Sequence, residues 1–181
     1  HLSDAETIYQ QILQSHPDQP HALHLLGTIA HQMGKNDTAV DLITKALTVK
    51  PDNTEAHNNL GIVLQALGKL NEAVVCYHKA LDLRPDYAEA HNNLGMALRG
   101  LGKLDDAVAS YQEALRLKTD YYEAHNNLGN TLKDLGKFDE SEASYQRAIA
   151  LKPDFALAHY NFGNLLRELS KPEAAVASYH K

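Results

Sequence analysis

The string AHNNLG stands at Ala56–Gly61, Ala90–Gly95 and Ala124–Gly129, and a looser copy, AHYNFG, stands at Ala158–Gly163. Each copy follows the last by 34 residues, a period that belongs to stacked helical units rather than to one undivided core. One step earlier, Ala22–Gly27 reads ALHLLG and keeps the first Ala and the final Leu-Gly. Three further rows run in the same phase. One is Gly34, Gly68, Gly102 and Gly136. The next is Tyr77, Tyr111, Tyr145 and Tyr179, with Tyr9 in front and Ile43 as the exception. The last is Ala46, Ala80, Ala114 and Ala148.

Within one period the apolar pattern is helical twice over. Ala90, Leu94, Gly95, Ala97, Leu98 and Leu101 fall on one face at helical spacing, and Gly102 supplies a left-handed terminator. Leu104, Ala107, Val108, Tyr111, Ala114, Leu115 and Leu117 form the second face. Most second segments close with a basic residue and proline, as in Lys50-Pro51, Arg84-Pro85 and Lys152-Pro153, which suits a helix C-terminus followed by a residue that cannot extend it. Asp52 with Glu55, Asp86 with Glu89 and Asp120 with Glu123 have capping-box spacing and predict the starts of the first helices. No segment alternates like a strand. The small positions Gly95 and Ala107 and their counterparts predict close approach of paired helices, and one such pair must stack on neighbours to bury its apolar face.

The bulk composition narrows the function. A net charge of −6 disfavours a general nucleic-acid binder, which needs clustered Lys and Arg. No apolar run approaches the roughly 18 residues of a membrane span, and no leader pattern opens the chain. The one cysteine, Cys76, excludes an internal disulfide framework and a Cys-based zinc cluster. It fits a soluble protein of a reducing compartment, with the cytoplasm favoured, but a helical protein of an oxidising compartment has the same cysteine usage, so the compartment stays open.

Leu-Gly followed by Ala, Tyr, Ala and Pro at fixed offsets resembles the tetratricopeptide repeat (TPR). The family's Trp position is held here by His57, His91, His125 and His159, a substitution the pattern tolerates. The resemblance implies an all-α fold, antiparallel helix pairs stacked into a right-handed superhelical solenoid whose concave groove is lined mainly by each first helix. In that frame residues 1–181 form a single array. Residues 1–19 hold a second helix, 20–53, 54–87, 88–121 and 122–155 are repeats, and 156–181 is a truncated one. Departures are few: Thr119 for proline, Ser141 for the small Ala, and Ser170-Lys171-Pro172 for the Gly-Lys-Leu turn. Pro172 falls where a helix starts and is tolerated there.

The candidate binding residues are amides. Asn58, Asn92 and Asn126 form one row, with Tyr160 in fourth place; Asn59, Asn93, Asn127 and Asn161 form the next. In TPR arrays this second row tends to face the groove, and an amide offers a donor and an acceptor to a peptide backbone whatever its side chains. The alternative is that both rows make only inter-repeat hydrogen bonds. Further along the first helices lie Gln65, Arg99, Lys133 and Arg167, with Asn130 and Asn164 a turn before the last two. If these share the groove wall, it favours acidic partners; otherwise they are a solvated face. A chaperone-tail clamp is disfavoured, since Glu55, Glu89 and Glu123 stand where that site wants a base.

The pattern of asparagines is closest to the TPR arm of the O-GlcNAc transferase type and to similar bacterial arrays. The leading expectation is a protein-interaction scaffold that binds an extended peptide or partner protein, with no cofactor and no metal. The alternatives are the recognition arm of a larger glycosyltransferase, or a structural protein that assembles through its repeat ends. Enzyme motifs are absent, and Cys76 with His78 two residues on diverges on a helix. The histidine row recurs once per repeat, roughly 20 Å over two repeats at helix-packing distances, so it cannot converge on one metal ion. His21, His24 and His31 share a stripe but lack an evident carboxylate partner. The chain opens in a second helix and stops in another without a polar capping helix, so the parent protein is expected to continue both ways. The exposed ends are expected to associate end to end or by exchange. Light scattering over a concentration series should show that association, and a strictly monomeric species at high concentration would count against it.

Overall fold

The computed structural model describes residues 2–180. Eleven helices are found among them: α1 Leu2–Ser15, α2 Pro20–Gln32, α3 Asn36–Val49, α4 Thr54–Ala66, α5 Leu70–Leu83, α6 Ala88–Gly100, α7 Leu104–Leu117, α8 Tyr122–Asp134, α9 Phe138–Leu151, α10 Ala156–Glu168 and α11 Pro172–Tyr179. The described residues contain no strand. The chain divides into two compact units, the first ending at Ala90 and the second beginning at His91. In the first unit α2 pairs with α3 and α4 with α5, α1 packs on α2, and α4 also touches α2. In the second, α8 pairs with α9 and α10 with α11, and α8 and α10 touch directly.

Each pair closes on one contact. A Cβ placed on Gly61 would lie 2.6 Å from Tyr77 Cε1, and one on Gly95 would lie 2.7 Å from Tyr111 Cε1. The glycine therefore makes room for the ring of its partner helix. Tyr77, Tyr111 and Tyr145 are almost wholly buried. Ile43, the exception in the tyrosine row, fills the same slot under Gly27, where a Cβ would sit 2.6 Å from its Cγ1. Ala39, Ala73, Ala107 and Ser141 pack beside this contact with no exposed surface. The serine hydroxyl, which replaces an alanine of the pattern, donates to the Gly129 carbonyl at 2.7 Å, so the departure costs no unpaired polar group.

The first helices end as the glycine row predicts. Gly34, Gly68, Gly102 and Gly136 have φ of 76°, 75°, 74° and 73°. Around Gly102 the amides of Gly102 and Lys103 return to the carbonyls of Arg99 and Leu98, each at 2.9 Å, satisfying groups that would be orphaned at the terminus. Ser170 takes the fifth place with φ 58°, and Pro172 opens α11 as its first residue.

The capping boxes do not form as predicted at α4 and α8. Asp52 and Asp120 lie in the turns before the helices. At α4 the cap is Asn53, whose side chain accepts from the Ala56 amide at 3.1 Å; at α8 the cap is Tyr121, with no side-chain cap bond. The basic residue, the proline (Thr119 before α8) and the aspartate complete a turn first, and the helix starts one residue later. Glu55 instead accepts from Arg84 Nη2 across the helix pair.

Gly95→Ala tests the pair contact. An unconstrained helical position gains about 0.5–1 kcal/mol from Gly→Ala, whereas overpacking against Tyr111 should cost about 1–3 kcal/mol. Urea unfolding should show the loss, and a stabilised variant would refute the tight approach.

Candidate functional site

The two asparagine rows have different surroundings. Asn58, Asn92 and Asn126 are buried, at 4%, 5% and 1% exposure, while Asn59, Asn93, Asn127 and Asn161 are partly exposed. The first row, a candidate for ligand contact by sequence, is interior and holds the second. Asn127 Nδ2 donates to Asn92 Oδ1 at 3.0 Å, and Asn161 Nδ2 donates to Asn126 Oδ1 at 2.9 Å. In the first unit the same register position is His24, and Asn59 Nδ2 donates to its Nε2 at 2.8 Å and to Thr28 Oγ1 at 3.3 Å. The divergent early repeat thus keeps the rung with another acceptor. No buried side-chain polar atom among the described residues lacks a partner.

Asn130 and Asn164 are fixed from below. The buried Tyr145 hydroxyl donates to Asn130 Oδ1 at 2.7 Å, and Tyr179 donates to Asn164 Oδ1 at 2.9 Å; in the first unit Tyr77 donates to Gln65 Oε1 at 3.0 Å. An amide has its acceptor and donors on opposite edges. The carbonyl edges of Asn127 and Asn161 therefore turn away from their rungs, and the NH2 edges of Asn130 and Asn164 turn away from the tyrosines. Asn126 Nδ2 reaches Asn127 Oδ1 only at 3.5 Å, a contact at the weak limit. This coupling of core tyrosine to surface amide was not legible in the sequence, although the shared period of the two rows was its signal.

The cation row divides. Arg99 is paired with Asp134, Nη2 to Oδ2 at 2.8 Å and Nε to the same oxygen at 2.8 Å. Lys133 and Arg167 line a cavity of about 440 Å³ with Tyr160, Asn164 and Glu168. A second cavity of about 460 Å³ shares Tyr160, Asn164 and Arg167 and adds Ala156, His159 and Tyr179. Tyr160 is 58% exposed, and its ring lies 6.1 Å from that of Tyr179.

The histidines of the Trp position have structural partners. His57 Nε2 donates to the Pro51 carbonyl at 2.8 Å and His159 Nε2 to the Pro153 carbonyl at 2.9 Å; His125 hydrogen-bonds the backbone at Thr119. A ring N–H is the property histidine shares with tryptophan, and it ties the turn to the helix that follows. Of the early stripe, His31 Nδ1 bonds Asn36 Oδ1 at 2.7 Å. No group of three or more His, Cys, Asp or Glu among the described residues is placed to hold a metal, and no helix there is long and apolar enough to cross a membrane.

Stacked helical hairpins with amide rows set on their first helices define a repeat scaffold for protein interaction. Models of the tetratricopeptide repeat match residues 53–120, and models described as TPR repeat match 27–68 and 129–170. The chain belongs to the tetratricopeptide-repeat family, whose members bind proteins or peptides. The curated proteins contain no match. Among solved structures, MamA is 27% identical with a TM-score of 0.76, over 86% of this chain and 91% of that one. The thermophilic TPR protein TTC0263 of Thermus thermophilus is 26% identical with a TM-score of 0.75, over 89% and 88%. YrrB, described as a TPR protein with an unusual peptide-binding site, is 20% identical with a TM-score of 0.73, over 94% and 88%, and shares the fold.

The His24 rung carries a pH dependence. Burial holds its imidazole below the ordinary 6.5; His21 pushes the same way and Glu55 opposes. Burial also lowers His125, against its bond to the Thr119 backbone and with Arg147 adding to the fall. The unfolded chain takes up protons that these folded rings resist, so their contribution is complete above 6.5 and is lost as pH falls below it. The thermal unfolding midpoint should fall as pH is lowered from about 7.5 to about 5.5. His24→Asn, which installs the acceptor used by the other rungs, should remove part of that fall and leave the His125 share. An unaltered profile in the variant would show that the rung does not titrate.

Proposed function

We propose that the second unit binds an extended peptide segment through its main chain, with the carbonyl edges of Asn127 and Asn161 accepting from peptide N–H groups and the NH2 edges of Asn130 and Asn164 donating to peptide carbonyls. The observation that carries this reading is the fixed direction of the amides. Each is locked from the protein side by a hydrogen bond, so the remaining edge is oriented before a ligand arrives, which lowers the ordering cost of binding. Donors and acceptors on neighbouring turns match the two groups every non-proline residue of a peptide offers. The protein acts as a scaffold without chemistry of its own. In support, burial pushes the Cys76 thiol up to about 11, with Glu72 adding to the rise, which keeps it protonated at neutral pH and a poor nucleophile.

An arrayed library of unstructured peptides supplies ligands, and fluorescence anisotropy reads affinity. Asn127→Ala and Asn161→Ala should each weaken binding about fivefold, the worth of one modest hydrogen bond. N-methylation of successive peptide amides should abolish binding at the contacted positions, whereas exchanging peptide side chains there should change it little. Tolerance of N-methylation throughout would refute main-chain recognition.

A further inference from the structure

Three places carry surface chemistry beyond the amide rows. The cavity bounded by Glu142, Gln146, Ile149, Phe162, Leu166 and Lys171 is apolar, but no observation says what covers it. Cys76 is a lone thiol. The third is the cavity beside Lys133 and Arg167, and it differs from the other two in having charge to be satisfied.

Along the first helices the cation recurs at Arg99, Lys133 and Arg167, yet the three are not equivalent. Arg99 has its carboxylate, Asp134, at 2.8 Å. The residue in the same register to Lys133 is Glu168, but no carboxylate among the described residues comes within ion-pair distance of either Lys133 or Arg167, and both line the cavity of about 440 Å³ with Glu168 on its wall. Two cations and one carboxylate leave a single positive charge there. Asn164, whose carbonyl is held by Tyr179, turns its NH2 edge from that bond and adds a neutral donor to the same cavity. Tyr160 stands in the fourth place of the buried asparagine row but is exposed, so the row ends in an aromatic wall beside the cations. A pocket with donors from lysine, arginine and an amide, one net positive charge and one ring face suits one carboxylate on a short aliphatic stem.

We infer that this pocket takes an acidic side chain of the bound peptide, Lys133 and Arg167 pairing with its carboxylate and the Tyr160 ring packing against its methylenes. The pocket borders Asn164, one of the amides assigned to the main chain, so a side chain of a segment held there reaches it without the chain ending. The inference rests on the main-chain reading proposed above and gives it a selectivity that the amides alone do not supply. Arg99 takes no part, because Asp134 already neutralises it.

The probes are two fluorescein-labelled, C-terminally amidated peptides of one unstructured sequence, differing only in three Glu against three Gln, and the Gln peptide with a free C-terminal carboxylate. Anisotropy titrations use the full chain. The Glu peptide should bind about tenfold tighter than the Gln peptide, and the margin should shrink as salt is raised. Lys133→Gln and Arg167→Gln should each reduce that preference about threefold to fivefold while the Gln peptide's affinity stays within twofold. Glu168→Gln should tighten the Glu peptide, a gain that damage to the fold would not produce, and Asp134→Asn should do so more weakly by releasing Arg99. Equal binding of the Glu and Gln peptides overturns the acidic pocket and leaves the main-chain reading standing. Binding of neither overturns both. If the free carboxylate alone restores full affinity to the Gln peptide, the pocket reads chain ends and the side-chain assignment is wrong.

Discussion

The contact between a glycine of one helix and a tyrosine ring of the next sets the geometry on which everything else depends. Where Gly61, Gly95 and Gly129 omit a Cβ, the rings of Tyr77, Tyr111 and Tyr145 enter space that an alanine would fill. The ring does two things at once. Its body closes the helix pair, a large apolar burial, and its hydroxyl must find a partner because it is held away from water. At Tyr145 and Tyr77 that partner is a polar residue on the paired first helix. Burial also pushes the Tyr145 hydroxyl up to about 12, so it remains a donor over the range in which proteins fold. Packing in the core and the direction of a surface amide are one event.

The asparagine rungs extend the same logic between neighbouring first helices. A buried amide such as Asn126, at 1% exposure, is costly unless its acceptor is used, and Asn161 on the next first helix uses it. The rung therefore ties one repeat to the next and aims the partly exposed amide in the same step. Where Asn126's counterpart is His24, the tie survives because a neutral imidazole nitrogen accepts equally well, but it becomes dependent on protonation. Where the counterpart is Tyr160, the row gives way to an exposed ring and a cavity with unneutralised cations. Differences at one register position thus change chemistry while the helix pairs stay the same, as expected of a repeat scaffold.

Much of this was legible in the residues themselves. The row of Gly34, Gly68, Gly102 and Gly136 predicts left-handed terminators, and each has a positive φ; the backbone conformation needs glycine whatever surrounds it. The spacing of Leu94, Ala97 and Leu98 marks a buried face, and all three are buried. The capping boxes misled because spacing alone cannot say whether Asp52 enters the helix or completes the preceding turn. That choice depends on backbone angles, and the cap falls at Asn53. The histidine row was legible as a period, but its bonds to the Pro51 and Pro153 carbonyls had no sequence signal.

What the sequence determined by itself is periodic and local: helices, their terminators, the small-residue seam, and the family to which the repeats belong. A helix face and a glycine turn follow from residues within a few positions of one another. What only the tertiary structure decided is which edge of each amide is engaged and which cation is already neutralised. Asn126 and Asn127 are neighbours with the same side chain, and Arg99 and Lys133 occupy one register. Asn126 accepts from Asn161, 35 residues on, whereas Asn127 donates to Asn92, 35 residues back. Arg99 has Asp134 at bonding distance, whereas Lys133 has no such carboxylate among the described residues. Hydrogen-bond direction and charge pairing are short-range properties of atoms in space, and a one-dimensional period carries no distance between helices.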